Sequence, residues 1–167
     1  MKRGSWRVAR RAQQLLELNK PGAALDLVAP AIASDPDDAT LHALMGEALQ
    51  REGRHEEALD AAGRVLALDP ENVYAHWLRA EVFWWTHRYE EREASLREAL
   101  AIDPLDLQCL MGLAGVLADR GREEEAYELS AKAIDTHPDN AWAWQCRSYV
   151  TGSSETGWKA NGAREKP

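Results

Sequence analysis

The sequence predicts an all-α fold, a right-handed α-solenoid of antiparallel helix pairs with four full units and a final unpaired helix. Three observations predict it. Prolines recur at a 34-residue period in Asp35-Pro36, Asp69-Pro70, Asp103-Pro104 and His137-Pro138. A second break recurs between them at the same period, at Asn19, Gly53, His87 and Gly121. The composition, rich in Ala, Leu, Glu and Arg with a single Phe, favours helix over strand.

The elements follow in chain order. The first unit, 5–38, places helices near 5–18 and 21–34, separated by Asn19, which tolerates the left-handed conformation that closes a helix. Pro30 inside the second helix removes a hydrogen bond and predicts a kink, making this unit the least regular. In the second unit, 39–72, Asp38 caps a helix near 39–52, Gly53 ends it, and a second helix runs near 55–68 until Asp69-Pro70 forces the chain out of the α region. Asn72 starts the third unit, 73–106, with helices near 73–86 and 89–102. Asp106 and Gly121 organise the fourth, 107–140, with helices near 107–120 and 123–136. Asn140 caps a last, partial unit, 141–151. The stretch 152–167, small and polar with Trp158 as its only bulky apolar residue, is expected to be disordered. The organisation is therefore one repeat domain, 1–151, and a tail.

Small residues recur where paired helices must approach closely. Ala12, Gly46, Ala80 and Ala114 form one column, Ala24, Ala58 and Ala126 a second, and Ala31, Val65, Ala99 and Ala133 a third. With these columns and the fixed period, the sequence resembles the tetratricopeptide repeat (TPR) family over residues 5–140 and through one further helix. Two departures stand out. Arg92 occupies the place of the second-helix alanine, which predicts looser or rotated packing in the third unit. Arg11, Arg79 and Arg147 share a column with Met45 and Leu113, where a stem can pack while the guanidinium reaches out.

The remaining residues exclude most chemistry. No stretch of about 18 apolar residues exists to cross a membrane, and the N-terminus lacks the apolar run of a secretory signal. Lys2, Arg3, Arg7, Arg10 and Arg11 make the start basic, spaced as the solvated side of a first helix. The rest of a chain of net charge −8 repels nucleic acid. Cys109 and Cys146 have no metal or redox spacing and fit a reducing cytoplasm as packing residues. His55-Glu56-Glu57 lacks the second histidine of a zinc protease motif, and His42 and His76 share one packing column. No catalytic residue, metal ligand or cofactor is predicted; the chain is expected to be a cytoplasmic binding protein and not an enzyme.

The third unit carries the functional signal. At about 100° per residue, Tyr74, Trp77, Glu81, Trp84 and Trp85 share one helix face, opposite His76, Arg79, Ala80 and Phe83. Packing against adjoining units accounts for part of that face. The family resemblance implies more: this side of the first helices lines a concave, peptide-binding groove. The matching face carries Trp6 and Gln13 in unit one, Glu47 and Arg51 in unit two, Met111 and Asp119 in unit four, and Trp142 and Tyr149 in the last helix. An aromatic groove edged by Glu47, Glu81 and Asp119 predicts a partner peptide with an apolar or proline-containing core and basic flanks. The Lys, Arg and Asn clamp by which some TPR proteins hold chaperone C-termini is replaced here by Ala9, Gln13, Leu44, Tyr74 and Leu78. Two other readings stay open. The aromatic face, or the last helix with Trp142 and Trp144, pairs with a second copy to give a homo-oligomer; or Trp77, Trp84 and Tyr74 with Glu81 form a cage for a small cation.

Overall fold

The computed structural model describes residues 5–162, with side chains described for 5–152. Every described element is a helix: α1 Ser5–Glu17, α2 Pro21–Ser34, α3 Ala39–Arg51, α4 His55–Leu68, α5 Val73–Trp85, α6 Tyr89–Ile102, α7 Leu107–Asp119, α8 Glu123–Thr136 and α9 Ala141–Gly162. The helix starts and breaks read from the sequence are met by the chemistry proposed for them. Asp38 accepts from the Thr40 and Leu41 amides, Asn72 from Ala75, and Asp106 from Cys109. Asn140 accepts from the Trp142 amide at 2.9 Å. The mid-unit breaks Asn19, Gly53, His87 and Gly121 have positive φ, at 52°, 75°, 58° and 72°. Each closes a first helix with the left-handed geometry that Gly and Asn adopt at low cost.

The second helices begin differently. Lys20, Arg54 and Arg122 precede α2, α4 and α8 without a side-chain cap. Instead, Arg54, Arg88 and Arg122 each pair with the glutamate three residues on, Glu57, Glu91 and Glu125, again at the repeat period. These pairs are exposed and add little stability, but they fix the first turn. Pro30 lies inside α2, which runs unbroken to Ser34. α9 continues to Gly162, past the end at 151 read from the sequence. Of the stretch 152–167 read as a tail, the side chains of 153–162, Trp158 among them, and all of 163–167 lie outside the described residues.

The chain divides into two compact units, one ending at Ser95 and one starting at Leu96. In the first, α1, α3 and α5 are neighbours in one layer and α2 and α4 lie against them as a second. Its core joins Ala12, Leu16, Ala24, Val28, Leu41, Leu44 and Ala48, then Leu49, Ala58, Ala61 and Val82. The small-residue columns sit at these crossings: Ala12, Ala24, Ala58 and Ala80 have no exposed surface. Gly46 lies so close to α5 that a Cβ there would stand 2.6 Å from Leu78 Cδ2.

In the second unit α7 and α9 are neighbours, with α8 packed against both. Leu110, Ala133 and Ala143 form its centre, with Leu100, Leu107, Leu129 and Ile134 around them. His42 and His76 are buried and bond through Nε2 to the carbonyl oxygens of Pro36 and Pro70, at 2.8 and 3.3 Å. Trp144, at the same place in the period, donates its indole N–H to Pro138 at 2.8 Å. One column thus ties first helices to the turns before them.

Candidate functional site

In the first unit, α5 buries Ala75, His76, Leu78, Ala80, Val82 and Phe83. That leaves the opposite face partly covered: Tyr74, Trp77 and Glu81 are half-buried, Trp84 is 39% exposed and Trp85 58%. The rings fall into two groups. Tyr74 and Trp77 lie 5.3 Å apart at 37°. Trp84 meets the edge of Tyr89 at 6.2 Å and carries the Arg92 guanidinium over its face at 4.3 Å.

Tyr74 closes a network. Its hydroxyl donates to Glu47 Oε2. Glu47 Oε1 accepts from Arg51 at 2.6 Å, and Arg51 also donates to the Leu16 carbonyl at 2.6 Å. Burial, then the Glu47 charge and hydrogen bond, push the Tyr74 phenol far above its ordinary value, so it acts as a neutral donor. Glu47 and Arg51 are thus committed to joining α1, α3 and α5, a role their spacing on α3 alone did not disclose. Glu81 stands 4.0 Å from Arg92, and burial raises its carboxyl pKa against the opposing pull of that arginine. From its place in an alanine column Arg92 sets its guanidinium over the Trp84 ring, so the departure brings a cation to the aromatic face.

Near the N-terminus, Ala9, Arg10, Gln13, Gln14, Glu17, Thr40 and Leu44 line a groove of about 410 Å³ between α1 and α3. Trp6 stands 45% exposed beside it in sequence, under the Arg7 guanidinium at 5.4 Å.

In the second unit, α7 and α9 hold between them an apolar groove of about 300 Å³ lined by Met111, Gly115, Trp142, Gln145, Cys146 and Tyr149. The structure brings together here the four residues expected from this half: Met111, Trp142, Tyr149 and, through the Tyr149 hydroxyl, Asp119. Trp142 is 68% exposed and Tyr149 52%. Gly115, Gln145 and Cys146 were missed. The signal was present, since Gln145 shares the column of Trp77 and Met111, and Gly115 that of Glu47, Glu81 and Tyr149. Burial pushes the Cys146 thiol up, with Arg147 opposing, which keeps it a packing group.

Each carboxylate read as groove-edge charge, Glu47, Glu81 and Asp119, is engaged within the chain. Asp119 accepts from a neutral hydroxyl, whereas Glu47 and Glu81 face arginines. Such surfaces offer stacking area, a side-chain amide and cation attraction, the chemistry of binding.

The sequence pattern of the tetratricopeptide repeat family matches residues 9–64 and 44–106. The chain belongs to that family. Repeats of the TPR type are typically protein-interaction modules. The pattern of the protein prenyltransferase alpha subunit repeat matches residues 123–153. No curated protein matches the chain. Among solved structures, the TPR chain is similar to TTC0263, a thermophilic TPR protein of Thermus thermophilus. The TM-score is 0.74 at 22% identity, covering 87% of this chain and 79% of that one. It is similar to MamA, with a TM-score of 0.72 at 15% identity over 93% and 85%. YrrB, described as a TPR protein with an unusual peptide-binding site, gives 0.65 at 20% identity over 89% and 76%. These likenesses show an all-α helical repeat solenoid. Among the described residues, no helix is long and apolar enough to cross a membrane.

Proposed function

We propose that the chain is an adaptor that binds a peptide segment of a partner protein on the faces of its first helices. The observation that carries this reading is the exposure of large rings where the solenoid core does not need them: Trp84, Trp85, Trp142 and Tyr149 are 39%, 58%, 68% and 52% exposed. Rigid aromatics give large contact area at small entropic cost, which makes them binding hot spots. The favoured ligand has an apolar or proline-containing core for the α7/α9 groove or the Tyr74–Trp77 pair. Basic flanks suit Asp119 and the net charge of −8. The likeness to YrrB, whose description includes a peptide-binding site, supports the class of function.

Affinity capture from the native cell extract tests it, with the wild type beside Trp77→Ala/Trp84→Ala. Each anchor is expected to contribute about 2 kcal/mol. The double variant should therefore lose the partner while its helicity by circular dichroism stays near wild type. Equal capture by the folded variant overturns the reading.

A second reading is favoured by α9, where Trp142 and Trp144 stand 68% and 55% exposed. There the aromatic face pairs with another copy, and light scattering is expected to show a mass that rises with concentration. A monomer mass at all concentrations excludes it.

A further inference from the structure

We propose that Trp84, Tyr89 and Glu81 form a recognition site for the guanidinium of a partner's arginine, and that Arg92 is its built-in competitor. The proposal rests on the peptide-binding reading and names one side chain the peptide must carry.

The site already holds the ligand chemistry it would recognise. The Arg92 guanidinium lies 4.3 Å from the Trp84 ring centroid and 4.0 Å from Glu81 Oε1, and the Tyr89 ring meets Trp84 in a T-shaped contact at 6.2 Å. A guanidinium is planar and weakly hydrated, so it stacks on an indole face and pairs with a carboxylate together; an ammonium does this less well. The side chain of Arg92 is 11% exposed and that of Glu81 30%, while Trp84 is 39% exposed. The resident cation is thus screened from water, and the ring that carries it is open to a partner.

Nothing in the packing of a helix pair calls for arginine at this position. The equivalent residues are Ala24, Ala58 and Ala126, all with no exposed surface. Arg92 therefore spends a core position to place a cation on the aromatic face. A tethered occupant has a high effective concentration, so an incoming arginine binds by exchange, one guanidinium for another, and Glu81 is never left unpaired. The consequence is a threshold: an arginine presented with neighbouring groove contacts displaces Arg92, and an isolated one does not.

The test compares the wild type with Arg92→Ala, a variant that restores the residue the other units use. Each full chain is titrated, by tryptophan fluorescence, with a blocked peptide carrying one central arginine and with its citrulline twin, equal in shape but uncharged. Arg92→Ala is expected to bind the arginine peptide about ten-fold tighter than wild type. The citrulline peptide should show no gain, and Glu81→Gln added to Arg92→Ala should remove it. Equal affinity of wild type and Arg92→Ala, or an equal gain for citrulline, overturns the proposal. Should Arg92→Ala lose helicity, Arg92→Gln, which keeps much of the stem without the charge, is expected to show the same gain, and its absence there overturns the proposal too. Loss of partner capture in Trp77→Ala with no gain in Arg92→Ala overturns the arginine site alone; the reverse pattern overturns the groove reading alone.

Discussion

Gly46→Leu is expected to destabilise the fold by about 3 kcal/mol, the upper part of the range for overpacking a closely fitted core. Gly46 lies on α3 where α4 and α5 both press in. A Cβ would meet Leu78 Cδ2 at 2.6 Å, Ala61 Cβ at 3.3 Å and the Ala58 carbonyl oxygen at 3.5 Å. The end of Leu78 can swing aside for one methyl, and the same column carries alanine at 12, 80 and 114. Three further carbons cannot be placed without moving the backbone of α4. In a chain of 167 residues the unfolding midpoint should fall by about 6–12 °C in a circular dichroism melt. An unchanged midpoint would mean that α3, α4 and α5 do not approach as closely as described.

Close approach of this kind is what the sequence made legible. A spacing of 34 residues, a cap after each proline and a Gly, Asn or His at mid-period located the helix starts, because those features act through local backbone chemistry. Side-chain partnerships across helices were harder to read. Glu47 and Asp119 share a helix face with the aromatics, and face-sharing cannot tell a carboxylate aimed at a ligand from one that accepts from Tyr74 or Tyr149 on the next first helix. Arg92 looked like damage to a packing column. Its stem is long enough to leave that column, and only the folded positions of Trp84 and Glu81 show where its head arrives. Trp144 illustrates the same limit: a large exposed ring is also a donor to Pro138.

Gly115→Leu is expected to weaken peptide binding on the α7/α9 groove by about ten-fold or more without loss of stability. The same substitution acts here in the opposite sense to position 46, and the difference is one of surroundings. A Cβ on Gly115 meets nothing within 4 Å. The residue faces the groove of about 300 Å³ lined by Met111, Trp142, Gln145, Cys146 and Tyr149. A leucine there occupies space that the proposed ligand needs. It also replaces a poor helix former with a good one inside α7, a gain of about 0.8 kcal/mol. The melt should therefore hold or rise by a few degrees, while affinity for the captured partner falls by about ten-fold or more. Because folding and binding move apart, lost binding cannot be blamed on unfolding, the ambiguity that shadows any tryptophan truncation. A Gly115→Leu chain that melts as expected and binds as before would place the ligand away from α7 and α9, leaving the α5 rings as the remaining anchor.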